Sequence, residues 1–495
     1  MKSKGKILVL FFIVAAFGCD DALSPDPIGR ITPDQVDREL SVSVMESNVN
    51  QSYQLLSNTL NIIDTWNWDE GKVLRNDFIL HDIASDDMMK KWAPDGDQAW
   101  MDEINNFSFT SDNQAFQGIW SYNYEGISRT NRAIRDLTNE EVLEEINIDS
   151  ALRDRLLGEV YFLRAFYYFD LVNHFGDVPL VLEPLENFDE AFERTMRVDE
   201  SEVREQIESD LEQAEMLLPN RKYSSDSDRW RASTGAAMAM QAKVALFQEE
   251  WNRVIQIVDD LEGLGFYDLN DNYFDAFDVE QQFQEDEVIF AYNHEQDQTP
   301  QRGNGLGALM GWGFVAPMSN FLDAFEDDDP RLDYTVDVDE QIVHKLLGST
   351  DGRYKGNGDG PGNRILIRWA DVLLWKAEAY LETNSYNEAI TIINEIRERA
   401  RESPTILGET PLTGTLPDRD TDSTDEEEIR EWLIHERRVE LGFESQRFND
   451  LKRWGIAEEV LTAIGQGFTS RNYLYPIPQS EIDRSGGEMR QNDGY

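Results

Sequence analysis

The sequence predicts an all-α protein, with paired helices forming a single large body that carries long inserted loops. Three observations carry this. Apolar residues recur at spacings of three and four along most of the chain, and the candidate helices come in pairs joined by short turns. In addition, no Pro/Gly/Ser-rich linker is long enough to divide the 495 residues into independent cores. The content of 40% hydrophobic and 11% aromatic residues excludes a disordered chain despite its charge.

In chain order, helical periodicity covers Val36 to Asn58, Asn113 to Leu137, the stretch around Gly158 to Val181, Asp199 to Leu218, Thr234 to Gln248 and Trp251 to Leu261. It resumes over Arg368 to Glu382, Tyr386 to Arg401, Glu426 to Leu441 and Ser445 to Trp454. The strongest pattern places Leu156, Val160, Leu163, Tyr167 and Leu171 on one face. Two pairs resemble each other and the tetratricopeptide pattern, in which a small residue admits a neighbouring helix and an aromatic opens the second one. Ala242, Trp251 and Val254 match Ala377, Tyr386 and Ala389 at the same spacings, and Tyr380 falls where that repeat places a tyrosine. Residues 64 to 112 and 263 to 367 are rich in Gly, Asp, Asn, Pro and aromatics and show little helical period, so they are expected to be the functional loops.

Charge narrows the partners. Lysine plus arginine number 45 against 97 acids, a net charge of −52. Such a surface repels phosphate backbones and anionic headgroups, so nucleic acid is excluded as a partner. Arginine greatly outnumbers lysine, and an acid-rich, lysine-poor surface suits concentrated salt. At the N-terminus, Lys2, Lys4 and Lys6 precede an apolar run from Ile7 to Phe17 that is too short to span a bilayer. Cys19, the single cysteine, follows directly, which predicts a lipoprotein signal over 1–18 and a lipidated N-terminus with a flexible tether over 19–33. The body then divides at 34–262 and 263–495, packed as one unit.

Six blocks are similar to those of the SusD/RagB-like nutrient-uptake lipoproteins: GIWSYNYEGISRTNRAI from Gly118, GEVYFLRAFYYFDLVNHFGDVPLV from Gly158, FEDDDPRLDY from Phe325, RWADVLLWKAEAYLE from Arg368, HERRVELGFESQRFNDLKRWG from His435 and YLYPIPQSEI from Tyr473. The resemblance covers almost the whole chain. It implies a tetratricopeptide-like helical body on the outer face of the outer membrane, with Asp20 and Asp21 supplying the surface-export signal. It also implies a non-enzymatic protein that binds oligosaccharides, or sometimes peptides, and forms a lid over a SusC-like TonB-dependent transporter. Other readings are a lipid-anchored glycoside hydrolase and a pure tetratricopeptide scaffold.

Sugar recognition needs apolar platforms for pyranose faces and planar polar groups for the hydroxyls. Two loops offer both. One carries Trp92 and Trp100 with Asp87; the other carries Tyr292, Arg302, Asn304 and Trp312. These seven are the candidate ligand-binding residues. Glu436 and Glu440 continue the apolar face of Ile429 and Leu433, so a structural ion network with Arg437, Arg438, Arg447 and Asp450 is expected there instead of a catalytic pair. The Asp418 to Ile429 stretch lacks the glycine and terminal glutamate of a calcium loop. The histidines His81, His174, His294, His344 and His435 show no zinc-ligand spacing. Neither GxSxG nor a dinucleotide fingerprint occurs, and no metal, cofactor or catalytic residue is expected.

Overall fold

A computed structural model describes residues 40–495 except 186–193, 221–227, 230 and 283. Cys19, its signal segment and the tether lie outside the described residues.

Ten helices form the frame: α1 Val42–Tyr53, α2 Gln114–Thr138, α3 Ser150–Phe175, α4 Glu200–Leu217, α5 Thr234–Phe247, α6 Trp251–Gly263, α7 Trp369–Glu382, α8 Tyr386–Glu402, α9 Glu426–Leu441 and α10 Arg447–Arg453. Their starts are set by local chemistry. The side chains of Asn113, Asp149, Asp199, Ser233 and Asp425 accept hydrogen bonds from first-turn N–H groups of α2, α3, α4, α5 and α9. α1 ends earlier than its apolar pattern and tightens into a 3₁₀ turn at Gln54–Leu56. α10 starts two residues late because Ser445, at φ +60°, gives its N–H and hydroxyl to the Asp82 carboxylate.

The periodic face of α3 is fully buried, and the opposite face is largely buried too, because α2 and α4 both pack on it. α5 with α6 and α7 with α8 are the two matched pairs, and α6 lies against α7, so the similar hairpins are neighbours despite their separation in sequence. Ala242 and Ala377 are fully buried between helices, while Trp251 and Tyr386 open α6 and α8. Lys376 ties the pairs by bonding Asp259 at 2.7 Å and Glu262 at 2.9 Å. One contiguous set of buried apolar side chains runs from Met45 to Met489, drawing on both the 34–262 and 263–495 stretches.

The inserted region also pairs as short strands, which its sequence composition concealed. Val288–Tyr292 runs antiparallel to Arg364–Arg368, and Met88–Met89 to Ala316–Pro317. Such short, isolated pairings leave little period-two pattern to read.

The interior behind α9 is charged. Glu440 meets Arg368 at 2.7 Å, Arg331 at 3.1 Å and Arg399, while Glu436 meets Arg331 at 2.6 Å and Arg397 at 3.2 Å. Arg437 bridges Asp371 and Asp450, and Arg447 holds Asp86. Burial alone would raise the Glu440 pKa, but Arg399, Arg368 and Arg331 override it and hold the carboxyl far below its usual range.

Histidine burial sets a pH dependence. Burial pushes His174 and His294 down to about 3 and also lowers His81. The unfolded chain takes protons on these groups near pH 6.5 and the folded chain does not, so stability falls as pH drops from about 6.5 towards 3. Asp82, raised to about 8 by burial, works in the opposite sense, as do the buried carboxyls of Asp87, Glu159, Asp210 and Asp371, which burial also raises. Removing the histidine contribution should therefore be visible: the Tm at pH 5 relative to that at pH 7.5 should be higher in His294→Gln than in the unmodified protein, and an unchanged difference would contradict this.

Candidate functional site

Three loops meet at one surface and each delivers an exposed tryptophan. Trp66, Trp92 and Trp312 are 51%, 59% and 43% exposed. The first comes from the 61–72 loop, closed by the Asn61 N–H donating to the Val73 carbonyl at 2.7 Å. Within it, Trp66 takes a left-handed backbone conformation, φ +47°, held by its N–H donating to Asn61 Oδ1 at 2.7 Å. A bulky residue adopts that conformation only when its surroundings enforce it.

Trp92 and Trp312 are brought together by backbone pairing. The Met88–Met89/Ala316–Pro317 ladder is extended on one side by the Lys91 N–H donating to Gly313 O at 2.8 Å and on the other by the Met318 N–H donating to Asp87 O at 2.8 Å. Trp312 is central. Its ring lies 6.3 Å from Trp66, inclined at 55°, and 6.1 Å from both Trp68 and Phe314, which support it from beneath. On its other side Trp92 packs its indole N–H edge against Gly313. The result is a tilted, three-ring apolar surface in an otherwise acidic setting. Gly313 sits at φ +81°, and a Cβ there would overlap Trp92 Nε1. Gly313→Ala is expected to displace Trp92 and, at roughly 1 kcal/mol of strain, weaken ligand retention about fivefold, as read on affinity gels.

Of the seven sequence candidates, Trp92 and Trp312 lie on this surface, and Arg302 lies exposed on the adjoining 293–305 loop, 3.9 Å from Glu295. The other four lie inward. Trp100 is buried on the helix Ala99–Asn105 with its indole N–H donating to Gln98 at 2.7 Å. Asp87 is fully buried and accepts from Arg438 Nε at 2.9 Å. Tyr292 is buried against the His294 ring, and burial raises its hydroxyl to about 12. Asn304 is buried too; its side chain accepts from the Leu306 N–H at 3.0 Å and donates to Gly362 O at 3.0 Å.

These inner groups position the outer ones. Asn304 orients the start of the Leu306–Gly311 helix that ends at Trp312. The Gly305 N–H donates to Asn58 O at 2.8 Å, and the Asn58 N–H donates to His294 Nε2 at 3.1 Å, which pins the base of the Trp66 loop. That last bond requires an unprotonated Nε2, consistent with the burial that keeps His294 neutral. Trp66 and Trp68 are not among the residues expected from sequence, although two tryptophans separated by one residue in the polar stretch DTWNWDE are a signal for them.

One set of metal-ligand atoms converges among the described residues, from His81, Asp170 and His174, within 4.8 Å of one another. The two histidine Nε2 atoms sit at hydrogen-bond distance, 2.7 Å, and one Asp170 oxygen is taken by Arg75 and Asn123, both at 2.6 Å. The histidines thus bond to each other, while Asp170 is held by Arg75 and Asn123 and stands 3.5 Å from His174 Nδ1.

Comparison with known proteins fits this architecture. Residues 37–246 match the family model described as starch-binding associating with outer membrane, and residues 340–495 match that of the SusD family. The chain belongs to the SusD-like family. A SusD-like protein, P2, of Formosa agariphila is 26% identical over 99% of this chain and all of its own length. A SusD-like protein of Bacteroides ovatus is 23% identical over 70% of the chain and 67% of its own. Among solved structures, a laminarin binding SusD-like protein superposes with a TM-score of 0.74 at 24% identity, covering 92% of this chain and 100% of that one. A surface glycan-binding protein A from Bacteroides thetaiotaomicron, in complex with laminarihexaose, gives 0.69 at 19% identity, covering 91% and 99%. The shared SusD-like fold is thus the all-α body derived above.

Proposed function

We propose that this SusD-like protein is a non-catalytic glycan-binding lipoprotein of the outer membrane, anchored through Cys19 and facing the exterior. It captures oligosaccharides on the Trp66, Trp92 and Trp312 surface and delivers them to a SusC-like TonB-dependent transporter. The observation that carries the reading is the surface itself: three exposed indoles, built by three separate loops and held by buried hydrogen bonds. Exposed tryptophans are costly in water, and grouped on a rigid base they suit the C–H faces of sugars. Because the Trp66 and Trp312 rings are inclined, a bound chain must turn between the sugars it stacks on them. Arg302 and the polar groups of the surrounding loops supply hydrogen bonds to hydroxyls, while Asp87, Tyr292, Asn304 and Trp100 hold the loops.

The relatives that bind laminarin and laminarihexaose support a glycan ligand and suggest the first probe. Affinity electrophoresis in laminarin and other polysaccharides should retard the protein, and Trp66→Ala and Trp92→Ala should each restore much of its mobility, whereas Trp100→Ala should act on stability. Undiminished retardation in both surface variants would remove the platform from consideration. Co-purification with a barrel transporter would test delivery.

A further inference from the structure

We infer that the tryptophan platform selects uncharged glycans and rejects polyanionic ones, sulfated or uronate-rich, through a rim of carboxylates; this rests on the glycan reading above. Three segments border the platform: 61–72, 90–98 and the 337–341 turn, which contacts the Trp92 loop through Lys91 Nζ donating to Glu340 O at 3.1 Å. Together they carry eight carboxylates, Asp64, Asp69, Glu70, Asp95, Asp97, Asp337, Asp339 and Glu340, against three lysines.

The cations there are already engaged. Lys72 pairs with Glu70, and Lys90 is buried between Asp95 at 2.5 Å and Asp102 at 3.2 Å. Lys91 lies over the Trp92 ring, 5.1 Å from its centroid, with its ammonium on the Glu340 carbonyl. The turn at 353–356 adjoins the helix ending at Trp312, since the Gly356 N–H donates to Gly307 O at 2.7 Å. Its Lys355 faces Glu340 at 3.6 Å, and its Arg353 is held by Asp351 at 2.9 Å and Glu280 at 3.2 Å. Arg302 faces Glu295.

Recognition of sulfate or uronate uses free guanidinium forks or ammonium groups aimed at the anion. On these bordering segments each basic side chain instead has a carboxylate or carbonyl partner. Asp64, beside Trp66, accepts from Asn67 Nδ2 and from the Thr65 N–H, both at 2.7 Å, and these bonds hold its carboxyl below the usual range and therefore ionised. A neutral sugar stacked on Trp66 meets acceptors there for its hydroxyls. An anionic one meets like charge, against the background of a chain carrying −52.

The rim is exposed, so salt governs its reach. The screening length falls from about 10 Å at 0.1 M to about 3 Å at 1 M. Repulsion weakens with added salt, so residual polyanion binding should strengthen with salt, the reverse of binding through ion pairs.

The test compares one backbone with and without charge. Laminarin and laminarin sulfate would be titrated by calorimetry against the protein at 50 mM and 500 mM NaCl, with and without EDTA, alongside Asp69→Asn/Glu340→Gln. We expect neutral-chain affinity to be independent of salt, sulfated-chain affinity to be at least tenfold weaker at 50 mM, and the gap to narrow both at 500 mM and in the double variant. Equal or tighter binding of the sulfated chain, directly or through an EDTA-sensitive cation, would overturn the charge selection while leaving the glycan reading intact. Failure of both chains, and of a neutral panel including amylose and xyloglucan, to bind at all would overturn both readings.

Discussion

Trp312→Ala is expected to abolish glycan retention on affinity gels while the protein still melts cooperatively at nearly the same temperature. Trp312 is the one ring in contact with each part of the platform: it touches Trp66, rests on Trp68 and Phe314, and continues into the Gly313 position against which Trp92 packs. Its removal deletes the central stacking face and also the partner that sets the Trp66 tilt. Central aromatic anchors contribute about 2 kcal/mol or more to binding, so affinity should fall about 30-fold. Because 43% of Trp312 is exposed, the apolar burial lost from the fold is modest. Retention within twofold of the unmodified protein would place the glycan elsewhere.

Glu440→Gln should produce the largest loss of stability from a single near-isosteric change. The side chain is fully buried and faces Arg331, Arg368 and Arg399, with Lys345 donating to its carbonyl at 2.7 Å. Glutamine keeps the volume but removes the charge that compensates the three guanidiniums and replaces an acceptor with a donor. Breaking a buried ion pair in this way costs about 3–5 kcal/mol. By contrast, Glu426→Gln on the same helix, which removes the exposed contact with Arg430, should cost no more than about 0.5 kcal/mol. Urea denaturation of both variants gives the comparison, and equal midpoints would show that the network adds nothing to stability.

Legibility in the sequence followed the range of the interactions. Helices such as α2, α4 and α5 emerge within a residue or two because the signal is local, and side-chain caps such as Asn113 and Asp199 mark the starts of α2 and α4, whereas α3 begins at Ser150 and stops at Phe175, earlier at both ends than the Gly158 to Val181 stretch. Trp92 stands out as a large apolar group in a polar stretch and Trp312 among closely spaced glycines, whereas Trp100 shares the composition around Trp92 but is turned inward with Met101 and Ile104 on a short helix. Asp87 and Asn304 have the chemistry of sugar ligands. Arg438, which Asp87 meets, and Gly362, which Asn304 meets, are distant in sequence, so local pattern does not reveal those contacts. The same holds for His81 and His174, scattered along the chain yet joined in the core.

The Met88–Met89/Ala316–Pro317 ladder imposes an order in time. Trp66 and Trp92 are made early in synthesis, but Trp312, which Trp66 packs on, and the strand that aligns Trp92 with it arrive more than two hundred residues later. A chain still emerging, or one cut between those strands, holds its indoles on no common surface. Capture competence is therefore a late event in folding, and there is no assembled platform to occupy before the segments that carry the two strands have closed on each other.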